Sequence, residues 1–194
     1  MYKVKDAYFK RAKKEGYLAR SVYKLKEIDQ RYRLFKKGDR VLDLGASPGS
    51  WLQYIAQVVG QKGRVLGLDL NPIKWENPPA FVQFWERDVL KWDVNEAKKV
   101  ADAFDVVVSD MAPATTGIKD VDAFRSFKLA NRALEIALAL LRPQGHFVCK
   151  VLEGGEMKDF LLKCKQQFSF VKVFKPQSSR RESREVFVVA LKKK

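Results

Sequence analysis

Short apolar runs of strand length recur along the chain with helix-length segments between them, and the first four reach an aspartate at or just beyond their carboxyl ends. They are residues 40–44 (RVLDL, with Asp43), 64–69 (RVLGLD, with Asp69), 81–86 (FVQFWE, then Asp88) and 104–109 (FDVVVS, then Asp110). Strands alternating with helices specify a mainly parallel sheet covered by helices on both faces. The unbroken apolar run at 104–109 suits a strand buried on both sides. Helical patterns are expected over about 5–32, 49–58, 121–141 and 156–167, the third stopping at Arg142-Pro143-Gln144-Gly145. Strand 146–152 follows that stop. Strands 170–174 and 185–191 are separated by a polar loop with no helix, which permits an antiparallel hairpin at the sheet edge. The expected fold is therefore α/β and Rossmann-like, a mostly parallel seven-stranded sheet with an antiparallel C-terminal edge hairpin. In such sheets ligands bind outside the carboxyl ends of the strands, at the switch point.

Residues 1–194 fit one compact domain, with 1–33 as a basic helical extension packed on it. No apolar run approaches the ~18 residues of a membrane span. The opening MYKVKDAYFKRAKKEG lacks the apolar core of a secretory signal. Cys149, Cys164 and His146 show no metal-ligand spacing, so no metal is expected and the cysteines read as free thiols in a reducing cytoplasm.

The net charge of +15 is confined to the ends. Residues 1–40 carry 14 Lys/Arg against 5 Asp/Glu, and residues 172–194 carry 8 against 2. The 131 residues between them carry 16 of each sign. Charge gathered in this way suits a polyanion, either as a binding surface or as two solvated tails. It disfavours a small-molecule substrate.

The loop Val41-Leu42-Asp43-Leu44-Gly45-Ala46-Ser47-Pro48-Gly49-Ser50-Trp51 lacks the G-x-G-x-x-G spacing that a pyrophosphate requires. Its small residues still allow close approach of a ligand without phosphates. Asp69 is placed to bond ribose hydroxyls and Asp88 to reach an adenine amino group. Any one of these aspartates alone is more often a turn residue or helix cap. Four in order around one glycine loop point to a nucleoside cofactor.

Several segments together resemble the FtsJ/RrmJ family of RNA 2′-O-ribose methyltransferases. They are ARSVYKLKEID (19–29), VLDLGASPGSW (41–51), FDVVVSDMAPATTG (104–117), HFVCKVLEG (146–154) and SSRRESREVFVVA (178–190). The resemblance implies a class I fold binding S-adenosyl-L-methionine, with contacts at Gly49, Trp51, Asp69, Asp88 and Asp110. It implies a catalytic tetrad of Lys24, Asp110, Lys150 and Glu185. It also implies methylation of a uridine ribose of 23S rRNA, within the large ribosomal subunit, by a cytoplasmic monomer with no membrane partner. Ser50 and the opening segment are closer to a tRNA-modifying branch, and the C-terminal half to the rRNA branch. An anticodon-loop ribose is thus the alternative target, and a catalytically silent RNA-binding protein of the same fold is a second.

The reaction so implied is an in-line displacement in which a hydroxyl oxygen attacks a sulfonium methyl. The hydroxyl proton must leave, and a base titrating near the working pH takes it best. A free lysine, with a pKa near 10.4, needs burial or a second cation to serve. Lys150 is the expected base, with Lys24 as the second cation and Asp110 and Glu185 as orienting groups. A structural Lys150–Asp110 pair is the alternative. Lys3, Lys5, Lys10, Arg11, Lys13, Lys14 and Arg20 precede Lys24, interleaved with Tyr2, Tyr8, Phe9 and Tyr17. The rings either stack on bases or anchor the segment. Arg180, Arg181 and Arg184 lie beside Glu185 and suit phosphates.

Overall fold

The computed structural model describes residues 7–180 and 182–194. Along the chain run α1 (Ala7–Lys14), α2 (Val22–Tyr32), β1 (Arg40–Leu44), α3 (Ser50–Val59), β2 (Arg64–Asp69) and β3 (Val82–Glu86). A 3-10 helix (Val94–Lys99), β4 (Phe104–Ser109), α4 (Lys119–Leu140), β5 (Leu141–Leu152), α5 (Met157–Gln167), β6 (Phe168–Phe174) and β7 (Glu185–Lys193) follow. The seven strands form one sheet in the order β3-β2-β1-β4-β5-β7-β6. The first five in that order pair in parallel. β7 runs antiparallel to both β5 and β6, so the hairpin expected from the sequence forms, with β6 outermost.

Two-residue alternation sorts the strands' side chains into two cores. Leu42, Leu44, Val107, Phe147, Val151 and Val188 pack with α4 and α5. Val41, Val106, Val108, Val148 and Phe187 face the opposite way, toward α2 and α3. All six residues of β4 are buried, as a strand covered on both faces requires. Among the described residues no helix is long and apolar enough to cross a membrane.

Two expectations change in detail. The helix expected over 5–32 is broken. Gly16 takes a left-handed φ of 77°, Gly16 N–H donates to Lys13 O, and Tyr17 N–H donates to Ala12 O at 2.9 Å. This closure ends α1 and leaves α2 to start after Ser21. The stop at 142–145 is also different, because α4 passes directly into β5. Phe104 pairs with Leu141 and Val106 with His146, so residues 142–145 bulge out of the strand. Gln144, at φ 64°, supplies the bend.

Asp105 ties together the ends of the strands remote from the aspartate loops. Its Oδ2 accepts from Arg40 N–H at 2.7 Å and Arg40 Nε at 3.2 Å, and its Oδ1 accepts from Arg142 Nε. Burial alone would raise this carboxyl, but the bonds from Arg142 and Arg40 hold it below its ordinary range. A depressed carboxyl adds stability above the unfolded pKa and loses it as pH falls through the folded one. Asp105→Asn is expected to lower the free energy of unfolding by about 1–3 kcal/mol at neutral pH, a range that allows for solvent screening. That screening comes from the partly open arginine side chains, 37% and 42% exposed. Urea unfolding of both proteins across an acid pH series checks this. The deficit should shrink as pH falls below about 3.9, the ordinary aspartate value.

Candidate active site

The carboxyl ends of β1, β2, β3 and β4 open onto one cavity of about 320 Å³, at the point where strand order reverses. Gly45 and Ser47 line it from the loop after β1, Asp69 and Asn71 from β2, Arg87 and Asp88 from β3, and Asp110 and Met111 from β4. Three of the five residues expected at a cofactor, Asp69, Asp88 and Asp110, are therefore in its wall. The Asp69 carboxylate accepts from Ser47 N–H at 3.0 Å and Asn71 N–H at 2.8 Å, which shapes both loops. Asp88 accepts from Leu90 N–H at 3.0 Å.

Gly49 and Trp51 are placed otherwise. Gly49 has φ 114°, and a Cβ there would stand 3.1 Å from Leu18 Cδ1, so the position demands glycine for its turn. Trp51 is buried, donates from Nε1 to Ser21 O at 2.9 Å, and packs 6.0 Å from the Phe187 ring. Neither is among the residues that line the cavity. Ser50 is buried too, its Oγ 3.1 Å from Ser21 Oγ. Its hydroxyl is thus occupied within the chain. Gly45, Ser47, Asn71 and Arg87 were not singled out from sequence. Their signal was adjacency: each lies within two residues of a singled-out position or of the glycine loop.

Asp43 lies deeper. It is fully buried, and neither carboxyl oxygen has a hydrogen-bond partner among the described residues. Burial, then the neighbouring charges of Asp110 and Asp69, push its carboxyl well above the ordinary range, favouring the neutral form.

The four tetrad residues converge as two ion pairs. Lys150 Nζ is 3.0 Å from Asp110 Oδ1 and also donates to the Asp110 backbone carbonyl. Lys24 Nζ is 2.7 Å from Glu185 Oε1. Sheet register explains the convergence. Lys150 pairs with Phe187 and Leu152 with Glu185, so Lys150, Phe187 and Glu185 project from the same face. That face is covered by α2, which carries Lys24 to within 6.0 Å of the Phe187 ring centre. Burial would raise Glu185, but the bond and charge of Lys24, with smaller help from Ser179 and Lys150, hold it below the usual glutamate range. A second cleft, lined by Arg20, Ser21, Lys24, Arg180, Ser183 and Glu185, opens beside this pair. Asp110 borders the first cavity and Lys24 and Glu185 border the second.

The basic segment ahead of Lys24 divides by role. Tyr8 packs 5.4 Å from the Tyr23 ring, and Tyr17 donates to Gln57 Oε1 at 2.6 Å, so these two rings anchor the segment. Phe9 is 58% exposed, and Lys10, Arg11, Lys13 and Lys14 are exposed beside it. Tyr2, Lys3, Lys5 and Arg181 lie outside the described residues. Arg184 Nη2 donates to Lys119 O at 2.9 Å, joining the start of α4 to the β6–β7 loop.

A family model described as FtsJ-like methyltransferase matches residues 17–193. A ribosomal RNA large subunit methyltransferase E from Syntrophobacter fumaroxidans is 46% identical over 197 residues, 98% of this chain and 97% of that one. The protein of the same name from Bdellovibrio bacteriovorus is 46% identical over all of this chain and 99% of its own. Among solved structures, a ribosomal RNA methyltransferase from Plasmodium falciparum, described as putative, superposes with a TM-score of 0.79 at 26% identity. It covers 91% of this chain and 98% of that one.

Arg132 of α4 braces the cavity's β3 side, donating to Val89 O at 3.1 Å and Trp92 O at 2.8 Å. Arg132→Ala is expected to speed amide exchange of Leu90 and Lys91 by about tenfold. Protection in the central strands should stay unchanged. Equal loosening throughout would show a global loss of stability instead.

Proposed function

The chain belongs to the FtsJ-like methyltransferase family, and from that premise we propose that it transfers the methyl group of S-adenosyl-L-methionine to a ribose 2′-hydroxyl of large-subunit ribosomal RNA. The observation that carries this reading is the Lys150–Asp110 pair, which stands at the border of the carboxylate-lined cavity with the Lys24–Glu185 pair on the same face of the sheet.

The cavity suits the cofactor's charge. Asp69, Asp88 and Asp110 face it, and among the described residues Arg87 is the one Lys/Arg in its wall. A ligand carrying a sulfonium and an ammonium is favoured there, and a pyrophosphate is not. Asp69 would hold the ribose hydroxyls, Asp88 the adenine edge, and Asp110 the cationic end. When bound, the cofactor supplies an activated methyl group.

The chain's own residues handle the acceptor. Lys150, acting from its neutral amine form, takes the 2′-hydroxyl proton as the oxygen–methyl bond forms, and Asp110 holds the ammonium that results. Asp110 fixes Lys150 by carboxylate and backbone carbonyl together, so its Nζ is held at the strand end. Lys24 and Glu185 border the second cleft and position the target nucleoside. Arg180 and the exposed cations of α1 contact flanking phosphates. Residues 1–194 act as one methyltransferase unit, with 1–33 as its basic extension, working as a cytoplasmic monomer.

Two measurements test this. Lys150→Ala should reduce methyl transfer by at least about 10³-fold. Cofactor affinity by calorimetry should remain. Retained turnover across the pH range would remove Lys150 from the chemistry. Incubation with labelled cofactor and separated RNAs should place the label in large ribosomal subunits, at a 2′-O-methylated uridine. Label in tRNA instead would select the anticodon-loop alternative, and cofactor binding without transfer to any RNA would select the silent RNA-binding reading.

A further inference from the structure

Glu185 offers one carboxylate oxygen to two donors. Oε1 accepts from Lys24 Nζ at 2.7 Å and from Ser179 Oγ at 2.8 Å. Oε2 makes no hydrogen bond among the described residues, and Glu185 borders the cleft beside Lys24. A carboxylate held at one oxygen by one long, flexible lysine could swing about its χ angles. A second donor on the same oxygen removes that freedom, because the hydroxyl approaches from the chain rather than from a mobile tip.

Ser179 can do this because its loop is itself fixed. The Glu27 carboxylate of α2 accepts from Gln177 N–H at 2.6 Å and Ser178 N–H at 2.9 Å. The Arg20 guanidinium, just ahead of α2, donates to Ser178 O. Ser179 N–H closes a turn onto Pro176 O at 3.1 Å. Arg20, Lys24 and Glu27 recur at four- and three-residue spacing, so one face of the segment grips the loop and β7 at successive points. Ser179 is buried with 8% exposure. A surface serine would lose such a bond to water, but this one is shielded from that competition.

We propose that Ser179 is a positioning residue for methyl transfer: its hydroxyl fixes Glu185 so that Oε1 stays on Lys24 and Oε2 stays available to a hydroxyl of the target nucleoside. The inference rests on the RNA methyltransferase reading above. It assigns Ser179 no contact with substrate or cofactor.

The test compares wild type, Ser179→Ala and Ser179→Cys in methylation of large ribosomal subunits, with kcat and KM separated and thermal midpoints alongside. Cysteine is close to serine in size but a weak donor, so it keeps the packing and loses the bond. The charged groups that face or flank Glu185 are Lys24 from α2, Lys150 from β5, Arg20 ahead of α2, and Arg180 and Glu182 from its own loop. None of these changes in the variants. Losing the Ser179 bond leaves Glu185 held at Oε1 by Lys24 alone, so the loss should fall on kcat rather than on cofactor binding. Both variants should lose about tenfold in kcat. KM for the cofactor should hold, and the cysteine variant should keep the wild-type melting midpoint. A wild-type kcat in both variants would overturn the proposal. So would a cysteine variant fully restored while alanine stays impaired, since that assigns the role to packing. Wild type that transfers no methyl group to RNA would sink the underlying reading itself, and this inference with it.

Discussion

The amine of Lys150 is carried into the sheet by β5, and burial makes a polar partner for it obligatory. Its side chain is 9% exposed, and that of Asp110 is 16%. Removing one member of such a buried pair costs about 3–5 kcal/mol, because the other is left without its partner and away from water. The chain therefore needs the end of β4 beside the C-terminal part of β5, in the register that sets Ser109 against Cys149. The register of β1 on β4, which sets Leu44 against Ser109, brings the glycine loop after β1 against the segment after β4. Asp110 N–H donates to Leu44 O at 3.1 Å, and a Cβ on Gly45 would fall 2.8 Å from Met111 Cγ. The carboxylate-lined cavity and the Lys150–Asp110 pair thus meet at the end of β4, where its registers with β1 and β5 place them.

α2 supplies the second half of the site from outside the sheet. Its buried residues Leu25 and Ile28 join the core formed by α3 and the strands. Its polar positions turn to the β6–β7 loop and β7, where Glu27 holds backbone N–H groups and Lys24 holds Glu185. A short amphipathic helix so placed fixes by packing the height at which Lys24 enters the cleft. The basic residues of α1 follow from that docking, because Tyr8 and Tyr17 pin the segment while Lys10, Lys13 and Lys14 remain in solvent. This divides the interleaved aromatic residues by function, which their spacing alone could not do.

Much of the architecture was legible in the chain. The seven apolar runs correspond to the seven strands, and the missing helix between 174 and 185 foretold the antiparallel pair. The break at Gly16 was not anticipated, because helical periodicity continues across it and only the positive φ and the closing bonds end α1. The bulge at 142–145 read as a stop because Pro143 and Gly145 punctuate loops, whereas β-pairing on both sides keeps it within β5. In the site, Gly49 and Trp51 bear the motif's signature but do not line the cavity, whereas Ser47 and Asn71 do. A sequence motif marks which loop is special and not which atoms of it face the ligand.

By itself the sequence determined the alternation of elements, the strand-end aspartates, the basic ends and, through the family it resembles, the four residues grouped as a tetrad. Those properties are local, set by residue type and spacing. Tertiary structure alone decided that the tetrad is two ion pairs, Lys150 with Asp110 and Lys24 with Glu185, and that Ser179 shares the Glu185 oxygen with Lys24. Partners drawn from α2, β4, β5, β7 and the β6–β7 loop stand up to 161 residues apart, from Lys24 to Glu185. Which cation meets which carboxylate across that distance depends on sheet register and helix packing, and no local pattern encodes either.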